Sequence, residues 1–179
     1  MTTLEWVLSV GGGLIAPFLL VYLIGCFLPR HHTVTRSIVL KQTANSVWES
    51  ITVFERIPGW WPAVVMVERL PDHDGHPVYH QVFQTGRRRQ QSIRVEVIEK
   101  EGPKRMVTRV VDVNGPFRGK WMYEIAEVAD GSRITITEQG ELASRFIRTM
   151  FRLMMSKTQF IDSYLVFLGR KFGEQVIPA

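Results

Sequence analysis

The chain is 179 residues long, 45% hydrophobic and 22% charged, with a formal net charge of +5. That is enough for one domain with a sizeable core, and no repeat or low-complexity tract interrupts it. A single cysteine, Cys26, excludes a disulfide framework, and the basic balance comes without zinc-ligand spacing or a recognition-helix pattern, so nucleic acid is not an expected partner.

From Trp6 to Leu28 no residue is charged: WVLSVGGGLIAPFLLVYLIGCFL. As a helix rising about 1.5 Å per residue this run reaches about 34 Å, enough for a hydrocarbon core of about 30 Å. Pro17 would break a soluble helix but is tolerated in a membrane-spanning one. A cleaved signal peptide needs a basic start, a shorter apolar region and a small-x-small cleavage site. Here the chain begins MTTLE and the run ends CFLPRHH, so the expectation is a retained single-pass anchor over residues 1–29. Arg30, Arg36 and Lys41 come after the span and no cationic side chain precedes it, which predicts a cytoplasmic location for everything behind it. Residues 30–179 hold all 22 Lys and Arg and every acid but Glu5, a charge suited to anionic headgroups nearby. Ser9 and Gly13 form a small-xxx-small pair that could pack two anchors together, a pattern also common by chance.

Residues 30–33 read as a linker, 34–174 as a folded domain and 175–179 as a tail. TVTRSIVL has strand character. Thr43 or Asn45 can cap a helix in NSVWESITVFERI, where Val47, Ile51 and Phe54 recur at helical spacing until Pro58-Gly59 stops it. Six runs of period-two character come next: AVVMVERL, VYHQVFQ, SIRVEVIE, RMVTRVVDV, KWMYEIAEV and RITITEQGEL, separated by PDHDGHP, TGRRRQ, KEGPK, NGPFRG and ADGS. From Ser144 to about Gly173 the period turns helical, with Ile147, Phe151, Met154, Thr158, Ile161, Leu165, Leu168 and Phe172 in one stripe. Strand, short helices, six strands and a long closing helix predict an α+β domain whose antiparallel sheet curls around that helix.

VWESITVFERIPGWWPAVVMVERL near the start, and GKWMYEIAEVADGSRITITEQGEL before the last helix, stand in co-linear order. On those stretches the chain from about Val34 to Glu174 resembles the START/Bet v 1-like superfamily, also called SRPBCC, and within it the polyketide cyclase/dehydrase-like branch. The apolar N-terminal run is not part of that core. The resemblance implies a helix-grip fold, a curved antiparallel sheet on a long helix with a cavity between them. Members bind lipids, sterols, polyketides or other apolar molecules, and a minority catalyse cyclisation or dehydration. No cofactor is implied, and no catalytic motif of the branch matches residue by residue.

Candidate ligand contacts come from strand alternation. Tyr79, Gln81 and Phe83 share a face, as do Trp121, Tyr123 and Ile125, then Ile134, Ile136 and Glu138, then Val107, Arg109 and Val111. If apolar positions face inward, Tyr79, Gln81, Arg109, Tyr123 and Glu138 give an apolar cavity a few convergent polar groups, the usual build of a small-molecule site. The alternative is a Glu138–Arg109 ion pair of structural use. In IPGWWPAVV the adjacent Trp60 and Trp61 cannot share one direction, so one ring is expected to brace the sheet and the other to border the cavity mouth, unless both are core anchors. Phe151 and Met154, from MFRLMM, would complete an adaptable apolar wall. His73, His76 and His80, with Asp72 and Asp74, read as a solvated turn and the strand after it rather than a metal site. Arg87, Arg88 and Arg89 occupy a hairpin loop, and Arg145, Arg148 and Arg152 recur at helical spacing, so these are candidates for a membrane surface, or simply a solvated face.

The leading expectation is a membrane-anchored domain that binds a hydrophobic small molecule or lipid. Alternatives are a cyclase- or dehydratase-type enzyme using Glu138 with Tyr123 or Arg109, and a tethered adaptor without ligand.

Overall fold

The structure, a computed structural model, describes residues 18–84, 89–111, 117–142, 144–146, 148–149 and 158–179, leaving aside the side chain of Phe117. Among these residues the strands are β1 (His31–Leu40), β2 (Val64–His73), β3 (His76–Gln84), β4 (Gln90–Glu101), β5 (Arg105–Val110), β6 (Phe117–Val128) and β7 (Gly131–Leu142). They form one antiparallel sheet in the order β1-β7-β6-β5-β4-β3-β2. The helices are α1 (Ala44–Thr52) and α2 (Gln159–Lys171), with a 3-10 turn at Phe54–Gly59. This is the helix-grip α+β architecture, sheet on one side and C-terminal helix on the other.

Local chemistry explains the boundaries. The Thr43 hydroxyl accepts from Ser46 N at 3.2 Å and caps α1, whose Val47 and Ile51 are buried. The expected turn PDHDGHP contracts to Asp74-Gly75 at φ 50° and 80°, the left-handed pair of a tight hairpin, so that β2 runs on through Pro71 to His73. Register shifts on β2 between Val64 and Met66 and between Leu70 and His73, and on β4 between Val97 and Glu99, bend the sheet.

α2 lays Ile161, Leu165 and Leu168 onto the inner face, each fully buried, and Tyr164 nearly so. Arg36 of β1 fixes its first turn: Nε donates to Asp162 Oδ1 at 2.6 Å and Nη2 to the Pro178 carbonyl at 2.7 Å. Residues 175–179 are more than a tail. Ala179 exchanges both backbone hydrogen bonds with Ser37 at 3.0 Å, so the chain's end lies along β1 and satisfies an otherwise open edge. His31–Thr33, expected as linker, already belong to β1, where they pair with β7.

The expected anchor falls largely on residues 1–17, outside the described residues, as does the Ser9–Gly13 pair. Residues 18–27 are helical, and among the described residues no helix is long and apolar enough to cross a membrane. This helical run is held to residues 145–149: Thr149 Oγ1 donates to the Val21 carbonyl at 2.8 Å and Arg148 Nη1 to the Leu28 carbonyl at 2.8 Å. Gly25 sits against the Arg145 carbonyl so closely that no β-carbon fits there.

Trp60 and Trp61 both turn to α2. Trp61 is 3% exposed, its ring edge-on to Tyr164 at 4.9 Å and to Phe160 at 5.0 Å, and its Nε1 donates to Ser163 Oγ at 3.3 Å. Trp60 meets Tyr164 at 5.1 Å, and its Nε1 is buried without a hydrogen-bond partner among the described residues. Trp61 is therefore a core anchor, joining the β2 entry to the final helix. Trp61→Ala is expected to lower unfolding free energy by about 3–5 kcal/mol, as large-to-small core changes do, and urea unfolding monitored by circular dichroism measures it.

Candidate functional site

The register places Val34, Glu138, Trp121, Thr108 and Val97 side by side on one cross-strand row of the inner face. Ile136, Tyr123 and Met106 form the next row toward α1. Above these rows stand Phe160 and Tyr164 of α2. Trp121 lies edge-on to Phe160 at 5.5 Å and to Tyr164 at 5.9 Å, while Phe83 of β3 reaches Phe160 at 5.5 Å and Trp61 at 5.8 Å. The rings of Trp61, Phe83, Trp121, Phe160 and Tyr164 thus form one layer between sheet and helix, each contact favourable beyond area burial. Phe160 remains 41% exposed, which marks the end where this aromatic layer meets the surface.

Glu138 is the polar exception in that row. Its side chain is 9% exposed, and Oε1 lies 3.2 Å from His32 Nε2. Burial among the rings pushes its carboxyl above the ordinary value, and hydrogen bonds from His32 and from the Trp121 indole pull the other way without cancelling it. Beside it, the Tyr123 hydroxyl, fully enclosed, is hydrogen-bonded to Thr108, and burial raises its pKa. A carboxyl with a raised pKa, an imidazole and an indole N–H converge at the exposed end of an apolar interior. Such a group can hold a proton, take one up, or orient one polar atom of a largely apolar molecule.

The expected set divides. Trp60, Trp61, Phe83, Trp121 and Tyr123 share one aromatic cluster through Tyr164 and Phe160. Gln81 is buried on the inner face. Tyr79 lies apart, stacked on Phe54 at 4.4 Å with the Arg69 guanidinium over its other side. Phe151 and Met154 lie outside the described residues.

Arg109 does not face inward. It pairs across the sheet with Lys120 and belongs to the outer face; Thr108 takes the inward place, opposite Trp121. Its guanidinium binds Glu96 instead, Nε at 3.0 Å and Nη2 at 2.5 Å, with His73 Nδ1 at 3.0 Å from the other carboxylate oxygen. Burial alone would raise the Glu96 carboxyl, but these hydrogen bonds outweigh it and hold it below its ordinary value. His73 is solvated, as expected, and is also tied to β4 through Glu96.

The expected basic face also separates. Arg87, Arg88 and Arg152 lie outside the described residues, and Arg89 is exposed at the start of the next strand. Arg145 sits over the Tyr22 ring, whereas Arg148 is 5% exposed and engaged with Leu28. Residues 18–27 cover the side to which helical spacing assigns Arg145 and Arg148, so Arg148 does not face outward.

His32, Thr108, Phe160 and Tyr164 stand beside these residues without having been expected there. For His32 the only signal was alternation with Val34 in a stretch shadowed by the preceding apolar run.

Glu138 is an acid whose folded pKa lies above its unfolded one. The stability linked to it is complete below the ordinary carboxylate range and is lost as pH rises through the raised value. Glu138→Gln keeps an acceptor for His32 and removes the ionisation. Urea midpoints of the two proteins should differ least in acid, with the variant gaining on the wild type toward neutral pH.

Residues 31–159 match the family described as polyketide cyclase / dehydrase and lipid transport. No curated protein sequence matches the chain. Among solved structures, the di-domain ARO/CYC BexL from the BE-7585A biosynthetic pathway has a TM-score of 0.66 at 10% identity, covering 82% of this chain and 52% of its own, so this chain spans about half its length. The Zhui aromatase/cyclase from Streptomyces sp. R1128 has a TM-score of 0.66 at 9% identity, covering 79% of this chain and 93% of its own. Ginseng major latex-like protein 151 from Panax ginseng has a TM-score of 0.61 at 10% identity, covering 80% and 96%. At such identities structural likeness carries the fold alone. The family match, however, runs from the first residue of β1 to the first of α2, most of the chain, and the chain belongs to the polyketide cyclase / dehydrase and lipid transport family.

Proposed function

We propose that this domain binds an apolar small molecule or lipid at the Phe160 end of the sheet–helix interior, held near a membrane by the apolar residues 6–28. The observation that carries this reading is the Glu138–His32–Trp121 group, polar and nearly buried, set in an aromatic layer. A core built only for stability has little use for it: an unpaired buried polar group costs about 1–3 kcal/mol, and a buried ion pair is often no better than an apolar replacement. A ligand with one carbonyl or hydroxyl and an apolar body matches both parts. Trp121 and Phe160 supply ring faces, and Glu138 or His32 supplies the hydrogen bond.

Support for the tether comes from the uncharged run and from the helical segment 18–27 within it. Phe18, Leu19, Leu20, Tyr22, Leu23, Ile24 and Phe27 all remain exposed on that segment. A bilayer covers such a surface at no cost to the fold, and the flanking cations orient the domain toward the cytoplasm.

A second reading, proton transfer in a cyclisation or dehydration, is favoured by the Glu138 carboxyl, which burial raises above its ordinary value, a shift that suits a general base or acid. Glu138 would take the proton next to a carbonyl, with the inward-facing Tyr123 as oxyanion partner; Arg109, on the outer face, is withdrawn from that role.

Full-length protein purified in a neutral detergent is expected to release an apolar compound into organic solvent, identified by mass spectrometry. Trp121→Ala should reduce the amount recovered severalfold, with Glu138→Gln having a smaller effect. A compound recovered equally from all three proteins would place it elsewhere on the molecule. For the enzymatic reading, turnover of the recovered compound should fall by about 10²-fold or more in Glu138→Gln, with binding retained; unchanged turnover rules that reading out.

A further inference from the structure

The outer face of the sheet carries an open groove of about 510 Å³ at the end where β1 begins, which meets the interior just described at His32. Arg109, Lys120 and Gln139 are successive cross-strand neighbours on its floor, with Arg118, Glu141 and His31 forming the adjacent row. Three cations and the Glu141 carboxylate line the groove, with Arg109 matched by Glu96 and Arg118 standing opposite Glu141, which leaves Lys120 without a facing carboxylate. Lys120 stands directly opposite Arg109, a like-charge pair that destabilises a sheet, and its other cross-strand neighbour is the neutral amide of Gln139. Glu96 relieves the repulsion only in part, because both its contacts to arginine go to Arg109, on the side away from Lys120. An open surface that sets Lys120 against Arg109 without a facing carboxylate suits an anion.

The groove's position indicates which anion. Three residues separate His31 from the helical run 18–27, and Leu142 N donates to the Arg30 carbonyl at 2.9 Å, which ties the end of β7 to that junction. Basic donors thus lie beside an exposed apolar helix. That juxtaposition suits an amphiphile whose charged end is a phosphate, since ammonium, guanidinium and imidazole together offer more donors than a carboxylate accepts.

We infer that the groove binds the phosphate of an anionic phospholipid headgroup, with Lys120 as its principal donor. The lipid source rests on the tether proposed above; the cationic groove does not. The test uses the full chain in neutral detergent micelles and three probes: dihexanoyl phosphatidic acid, glycerol 3-phosphate and dihexanoyl phosphatidylcholine. Phosphatidic acid should bind most tightly, and binding should weaken as salt is raised. Lys120→Glu should weaken it by about ten-fold or more, Lys120→Gln by less, and Lys100→Glu, on an exposed strand end outside the groove, should leave it unchanged. Equal binding of phosphatidylcholine, or no loss in either Lys120 variant, overturns the site. Glycerol 3-phosphate binding as tightly as phosphatidic acid overturns the lipid assignment. Phase partition of the same preparation reads the tether separately: a chain found in the aqueous phase removes the tether, whereas a chain in the detergent phase that ignores the anionic probes removes the groove.

Discussion

The structure depends on one geometric fact, that successive side chains of a strand point to opposite faces, imposed on seven strands held in fixed register. One face must then be apolar enough to accept a helix, and α2 supplies Ile161, Tyr164, Leu165 and Leu168 to it. The other face is free to carry charge, and does so in the Glu96–Arg109 and Arg105–Glu99–Glu124 contacts. The exposed pairs on that face contribute little to stability. Apolar burial beneath α2 holds the domain together, and everything polar on the inner face is tolerated against that burial.

Glu138 shows the tension most clearly. Its strand neighbours on the same face, Ile134 and Ile136, are fully buried, and β7 would be more stable with an apolar residue in third place. The carboxyl responds as physics requires, by shifting toward its neutral form and by gathering His32 and the Trp121 indole around it. The outer-face carboxylate Glu96 behaves oppositely: equally hidden from solvent, it is overcompensated by Arg109 and His73 and stays ionised. Two buried glutamates on one sheet thus have opposite electrostatic fates. The one matched by a permanent guanidinium is structural, and the one matched only by an imidazole and an indole retains chemistry to spare.

Much of this was legible before any coordinates. Strand alternation, the Asp-Gly hairpin and the closing amphipathic helix predicted the architecture, because each is a local signal that the tertiary fold reinforces. Alternation also placed Trp121, Tyr123 and Glu138 on a common inner side. It failed at Arg109 because RMVTRVVDV is apolar on both parities, so the pattern alone does not choose between Val107–Arg109–Val111 and Met106–Thr108–Val110; only pairing with β6 decides, and it sends Thr108 inward. Arg148 was misread for a related reason. Helical periodicity finds a face but not its covering, and the cover comes from residues 18–27, distant in sequence.

The beginning of β1 links these features. His31 and His32 are consecutive, so alternation sends one to each face: His31 stands on the outer row of the basic groove, and His32, at the groove's edge, reaches Glu138 inside. Both positions stem from a single register, in which His31 pairs with Glu141 and His32 with Gly140. A slip of one residue would exchange the two imidazoles and empty both sites at once. That register is fixed at one end by the Arg30–Leu142 hydrogen bond and at the other by the chain terminus, where Ala179 clasps Ser37 and Arg36 grips Asp162 and Pro178. The C-terminal residues, remote from either site, thereby hold in place the strand on which both are built.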